Sequence, residues 1–269
     1  MEKAAGQTGV HVEYLERLAE TAGFAVVLKP SGGSPEQDKD IATTLRCELD
    51  ALPLKETAAW RPYASKNEGV AHKCGHDGHM AILLLVFRRV LLAPDAFLKA
   101  GRIVLLFQPA EETGDGAVAI VRDDRFLRVA RGDDAVALAL HNVPGMPEGM
   151  ARVRTGTLSC ASRGIEISIE GAHAHAAYPD TGISPLPALQ ELLLQLQAMQ
   201  ARHTALRAAA SDEPAAKRAA LSAAPFPTAT VTYVRVGGEP NFGISPGEAV
   251  VQVSGGIRLQ RGRRAFVVL

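Results

Sequence analysis

Two apolar runs, "RIVLLFQP" and "AVALALHNVP", constrain the fold of this chain more than any other feature. Each has the length of a strand, is apolar at nearly every position, and is stopped by a proline, Pro109 or Pro144. A strand with one wet face alternates, whereas a continuous apolar run suits a strand whose sheet is covered on both faces. "TTLRCELDALP" sets Leu45, Cys47 and Leu49 against Arg46, Glu48 and Asp50, the alternation of a half-covered strand. "GFAVVLKP" reads as a short strand, Glu13 to Ala22 has the helical spacing of Leu15, Leu18 and Ala19, and Met80 to Leu92 reads as a buried helix. Apolar strands alternating with helices predict an α/β fold: a mostly parallel sheet with helices on both faces.

The texture changes near Thr155. "RGIEISIEG" alternates strictly, and Ser184 and Pro185 make a helix start. Leu186, Leu189, Leu193, Leu196 and Met199 then give that helix an apolar stripe, and "TATVTYVRV" and "EAVVQVSGGIRL" read as two further strands. This order predicts a small α+β module. The expected division is residues 1–155, 156–260 for the module, and an atypical tail over 261–269.

With 269 residues, 47% of them apolar, the chain can bury a real core. Lys+Arg and Asp+Glu balance at 29 each, so no net field draws it to nucleic acid or an acidic membrane; a small neutral or zwitterionic partner fits better. The three cysteines, Cys47, Cys74 and Cys160, are widely spaced, as in a reducing compartment. The first residues lack a basic end followed by an apolar stretch, and "MAILLLVF" is too short to span a bilayer. A cytoplasmic protein without a membrane anchor is the expectation.

In an open parallel sheet, ligands gather beyond the carboxyl ends of the strands. Here those ends carry Asp50, the pair Glu111 and Glu112, and His141, while "HKCGHDGH" puts Cys74, His76 and His79 between the first of these strands and the helix. Singly, each has a plainer reading: a histidine is more often a surface or core residue, paired glutamates open a helix, and Asp50 reads equally as a turn residue. Their convergence on one rim favours a metal centre. Thiolate, imidazole and carboxylate together suit a borderline divalent ion: zinc or manganese, with cobalt and nickel also admitted. Adjacent glutamates in an extended loop face different sides, so one can hold metal while the other faces water. Such an ion lowers the pKa of a bound water from 15.7 to about 7, and a free carboxylate can take its proton. The zinc-deaminase pairing of H-x-E with P-C-x-x-C is absent, as is a glycine-rich phosphate loop after the first strand.

In order, "LRCELDALPLKE", "HKCGHDGHMAILL", "GRIVLLFQPAEETGDGA", "ALHNVPGMPEGMARVRTGTLSCAS" and "GAHAHAAYPDTGISP" resemble the successive motifs of the metal-dependent aminoacylase and carboxypeptidase superfamily. The branch they resemble is that of amidohydrolases acting on hippurate, N-acyl amino acids and auxin conjugates. The resemblance implies one or two divalent ions, hydrolysis of the amide bond of a small N-acyl amino acid or conjugate, and an inserted lid module that forms a homodimer. It makes residues 1–155 the metal-binding catalytic domain. By position it implies Cys74, His76, Glu112 and His141 as metal ligands, Glu111 as general base, and Asp50 as an aspartate orienting a ligand. It further implies that His175 stabilises the oxyanion at a neighbouring site and that Asn241 contacts substrate, although "NFGISP" stands where the family has "NVIP".

The family's amino-terminal His-Pro-Glu segment has no counterpart, and no histidine follows His203 to match its last metal ligand. The expectation is a catalytic domain truncated at both ends, with a catalytically inactive metal-binding or partner-binding member as the alternative.

Overall fold

A computed structural model of the chain describes residues 9–32, 41–57, 62–99, 101–132, 134–151, 153, 161–211, 228–238, 243–257 and 266–268. Asn241 and Cys160 lie outside them, as does most of the alanine-rich stretch. The chain divides into two compact units, Met1–Gly156 with Arg263–Leu269, and Thr157–Gly262.

In the first unit the elements run β1 (Val10–Leu15), β2 (Phe24–Pro30), β3 (Ile41–Glu48), α1 (His76–Leu92), α2 (Pro94–Phe97), β4 (Gly101–Gln108), α3 (Asp115–Ile120), α4 (Asp124–Ala130) and β5 (Val136–Leu140). The sheet order is β1-β2-β4-β3-β5, and Phe266–Val268 forms a sixth strand beside β5. β4, β3, β5 and this last strand run parallel, while β2 is antiparallel to both β4 and β1. The fold is thus α/β with a largely parallel, mixed sheet. The pairing of Phe266–Val268 gives part of the expected tail a place in this sheet.

Alternate residues of the central strands serve two cores, because successive side chains of a strand leave opposite faces. Val26, Leu28, Ile103, Leu105 and Phe107 pack with Leu83 and Val90 of α1 on one face. Ala25, Val27, Val104 and Leu106 pack with Ile120, Phe126 and Val129 of α3 and α4 on the other. This is why β4 reads as an unbroken apolar run. Arg102, at its start, donates to the Val129 and Arg131 carbonyls, both at 2.6 Å, so a cation closes the carboxyl end of α4.

Two sequence expectations are corrected here. Val10–Leu15 is a strand paired with β2 over its full length, and only Leu18–Glu20 forms a 3-10 turn, where a helix over Glu13 to Ala22 is expected. A helix of that length is marginal alone, and β2 offers the segment a complete ladder. Leu15 and Leu18 still reach one core, which is the signal that mimics a helix. The second correction is α1, which is not buried on all sides: Leu83 and Val90 are enclosed, whereas Leu85 and Leu92 are 61% and 66% exposed. Its inner face packs on the sheet, and no described residue covers the outer one.

The second unit consists of β6 (Ala161–Glu170), β7 (Ala174–His175), α5 (Leu186–Ser211), β8 (Thr228–Val236), β9 (Ile244–Ser245) and β10 (Glu248–Ile257). β10 lies between β6 and β8, antiparallel to both. Leu189 of α5 is buried against Ala229, Ala249, Val251 and Val253, with Leu193 and Leu196 beside it, so the middle of the stripe forms this core. Leu186 and Met199, at its ends, are exposed. The Leu186 N–H bonds the Ser184 hydroxyl at 3.3 Å, the local interaction that starts α5.

Candidate metal centre

The carboxyl ends of three parallel strands meet the amino end of α1. Just past β3 stands Asp50, past β4 stand Glu111 and Glu112, and past β5 stand His141 and Asn142. Cys74 lies in the loop before α1, whose first turn carries His76 and His79. Pro109 has no N–H to continue the ladder, and Ala110 follows at φ 50, so the chain turns sharply at the two glutamates. Such a conformation is costly for a residue with a side chain and is often found at functional sites.

The Sγ of Cys74 is 3.3 Å from His141 Nε2. His76 Nε2 is 3.9 Å from a Glu111 oxygen and 3.8 Å from a Glu112 oxygen. Cys74, His76 and His141 form one group able to share an ion, and His76, Glu111 and Glu112 another, the ligand atoms of each within 4.8 Å of one another. Both groups contain His76, which is 1% exposed.

Hydrogen bonds set the ring orientations. His76 Nδ1–H donates to the Asp50 carbonyl at 2.8 Å, and His141 Nδ1–H to the Asn142 carbonyl at 2.7 Å. The neutral form of each ring then turns a bare Nε2 to the centre, the usual arrangement when the other ring nitrogen of a ligand is held. Asp50 accepts the Glu112 backbone N–H at 3.0 Å, tying the β3 and β4 ends together. Burial, then the neighbouring Glu112 and Glu111, push the Cys74 thiol up to about 11.

These residues fit a divalent cation. His76 Nε2 and Asp50 Oδ1 are buried without hydrogen-bond partners among the described residues. An unpaired polar atom at such depth is costly unless something satisfies it. Two donors about 2.0–2.3 Å from a shared ion stand roughly 3–4 Å apart, as the Cys74–His141 and His76–glutamate pairs do. A cation there would also offset the carboxylate charge that holds the thiol protonated.

His79 differs from the other two histidines. Its Nδ1 bonds a carboxylate oxygen of buried Glu48 at 2.7 Å, and its Nε2 lies 3.1 Å from the Asn142 backbone nitrogen. Glu48 and Asn142 are site residues that sequence reasoning missed. Glu48 has no signal of its own, because the alternation groups it with Arg46 and Asp50 on the polar side of the strand, and Asn142 has none apart from following His141. Asp77 is exposed in the first turn of α1. In the second unit His175 ends β7, exposed, with Nδ1 accepting the Ala177 N–H at 3.1 Å and its ring beside Tyr178. Beside His141, a cavity of about 510 Å³ is lined by Ile82, Leu140, Val143, Met146, Pro147 and Met150, among others.

Residues 44–254 match Peptidase family M20/M25/M40. Among curated relatives, an N-acetyl-L-cysteine deacetylase of Bacillus subtilis is 41% identical over 162 residues, covering 60% of this chain and 37% of its own. A hippurate hydrolase of Campylobacter jejuni is 35% identical over 191 residues, covering 71% and 46% respectively. The chain thus spans less than half the length of either. A solved Bacillus subtilis structure, described as a dinuclear metal binding peptidase from the M20 family, shares the fold at TM-score 0.55 and 20% identity, over 97% of this chain and 57% of that one. A metallo-carboxypeptidase of Sulfolobus solfataricus does so at TM-score 0.52 and 11% identity, over 97% and 66%. With the family match reaching from β3 through β10, the chain is a member of Peptidase family M20/M25/M40.

Proposed function

We propose that this chain carries the centre of an amidohydrolase that cleaves small N-acyl amino acids, with Cys74, His76, Glu112 and His141 holding one or two divalent ions, zinc or manganese first. The observation that carries this reading is the buried, unpartnered Nε2 of His76 between two carboxylates and the Cys74–His141 pair. The names of the curated relatives, deacetylases and a hippurate hydrolase, support the amide of an N-acyl amino acid as the bond broken.

When bound, the metal supplies Lewis-acid polarisation of the acyl carbonyl and a lowered pKa for water. Glu111 is the proton acceptor: its carboxylate is 38% exposed, open to water, and held beside His76 by the sharp turn after β4. It takes a proton from the water that adds to the carbonyl carbon and returns it to the amine nitrogen as the C–N bond breaks. Asp50 acts through its neighbours, its carbonyl fixing His76 and its carboxylate fixing the Glu112 backbone. The first unit in this reading is the catalytic domain and the second a lid that forms a homodimer, where His175 reaches the oxyanion of a neighbouring site and Asn241 contacts substrate.

The test is turnover of a panel of N-acyl amino acids by the reduced chain supplied with Zn²⁺ or Mn²⁺. Hydrolysis lost in Glu111→Ala supports the reading; metal content near zero after such loading argues against it. The exposed outer face of α1 favours a second reading, partner binding without turnover, and Glu111-dependent turnover excludes it. Analytical ultracentrifugation tests the dimer, and a monomer at micromolar concentration removes the role given to His175. No helix among the described residues is long and apolar enough to cross a membrane.

A further inference from the structure

A line of hydrogen bonds, buried at its Glu48–His79 step, runs behind the candidate ligands without using any ligand atom. It begins on β3, where the Arg46 guanidinium pairs with Glu48 and its Nε–H donates to Gln108 Oε1 at 2.9 Å. Glu48 is 1% exposed, and its second oxygen meets His79 Nδ1 at 2.7 Å. The carboxylate keeps the ring proton on Nδ1, so Nε2 accepts the Asn142 backbone N–H; the Asn142 Oδ1, 3.1 Å from the same nitrogen, adds no hydrogen bond in this tautomer. Asn142 in turn contacts the ligands from two sides. Its carbonyl takes the His141 Nδ1–H, and its side chain fills the space beside Gly75, between Cys74 and His76.

We propose that Glu48 and His79 are positioning residues: together they anchor Asn142, which orients His141 toward Cys74 and fixes the loop carrying Cys74 and His76. Glu48, His76 and His79 could also be read as a metal group, since their ligand atoms lie within 4.8 Å of one another. The bonding argues otherwise, because both oxygens of Glu48 and both nitrogens of His79 already have partners. The proposal rests on the reading of Cys74 and His141 as ligands only for its effect on metal binding. Its effect on ring orientation is independent of any metal.

The experiment uses the full reduced chain and two readouts, histidine ¹⁵N NMR without metal and Co²⁺ titration. In the wild type, His141 should be a single tautomer protonated at Nδ1. In His79→Leu, His141 should become a mixture of tautomers, and Co²⁺ affinity should fall about 10–100-fold, the usual effect of losing a group that orients ligands. His79→Gln keeps a donor for Glu48 and an acceptor for Asn142 but has no ligating ring nitrogen, so it should restore both readouts. Should His79→Leu fail to fold, Glu48→Gln is read in the same way, with a change in the same direction. An unchanged His141 tautomer in whichever variant is read overturns the proposal, as does failure of His79→Gln to restore it. If even the wild type binds no Co²⁺ while the tautomer responds as described, the metal reading fails and the positioning role stands.

Discussion

Replacing Gly75 with alanine should destabilise the first unit by about 2–5 kcal/mol, while the same change at Gly78, three residues on, should stabilise it. Gly75 sits at φ +85, and a Cβ built there would stand 2.3 Å from the Asn142 side-chain oxygen. The left-handed conformation costs an L-residue roughly 1–2 kcal/mol. Moving Asn142 aside strains its bond to His79, and the buried ring nitrogen of His79 losing its partner costs about 1–3 kcal/mol more. Gly78 lies inside α1 with nothing within 4 Å of an added Cβ, so alanine there should gain roughly 0.5–1 kcal/mol of helix stability. Urea unfolding monitored by far-UV circular dichroism measures both variants against the wild type. Opposite shifts of the midpoint are expected. If Gly75→Ala unfolds at the wild-type midpoint, the Asn142 contact is not tight and the account of this turn is wrong.

Elsewhere in the first unit, Cys47 is fully buried, and burial together with Glu48 pushes its thiol up to about 12, so alkylation at pH 8 should modify Cys74 before Cys47, with peptide mapping as the readout. Its raised value also fixes a sign. The unfolded thiol ionises near its ordinary 9.0 and the folded one does not, so Cys47→Ala should reduce the loss of stability as pH rises from about 9 toward 12. Asp123 caps α4 by accepting the Arg125 N–H, and its bonds from the Arg125 side chain and the Ala19 N–H hold its carboxyl well below the usual range. Asp123→Ala should therefore cost about 1 kcal/mol at pH 7, a cost that shrinks as pH falls below about 4, measured by urea unfolding at several pH values. Leu83→Ala should cost about 2–5 kcal/mol because Leu83 is enclosed by the core, whereas Leu85→Ala on the same helix should change stability by less than about 0.5 kcal/mol; equal losses would refute the one-sided packing of α1.

The sequence by itself determined the central strands and the residues at their ends. A run such as "RIVLLFQP" is stable only with both faces covered, and a parallel sheet brings the residues just past each strand to one rim. Asp50, the two glutamates and His141 were therefore legible as neighbours before any coordinates, as were Cys74 and His76 in the loop before α1. Tertiary structure decided what depends on partners distant in sequence. Val10–Leu15 is a strand because β2 is there to pair with it, against its own helical spacing. The outer face of α1 is exposed because apolar periodicity records what a helix could bury, whereas burial requires a second surface. Which partners hold each of the three histidines was equally hidden. His79 commits both of its nitrogens to Glu48 and Asn142, and His76 is held by the Asp50 carbonyl, because these partners come from the ends of other strands brought together by the fold, whereas His141 is held by the carbonyl of its own neighbour Asn142.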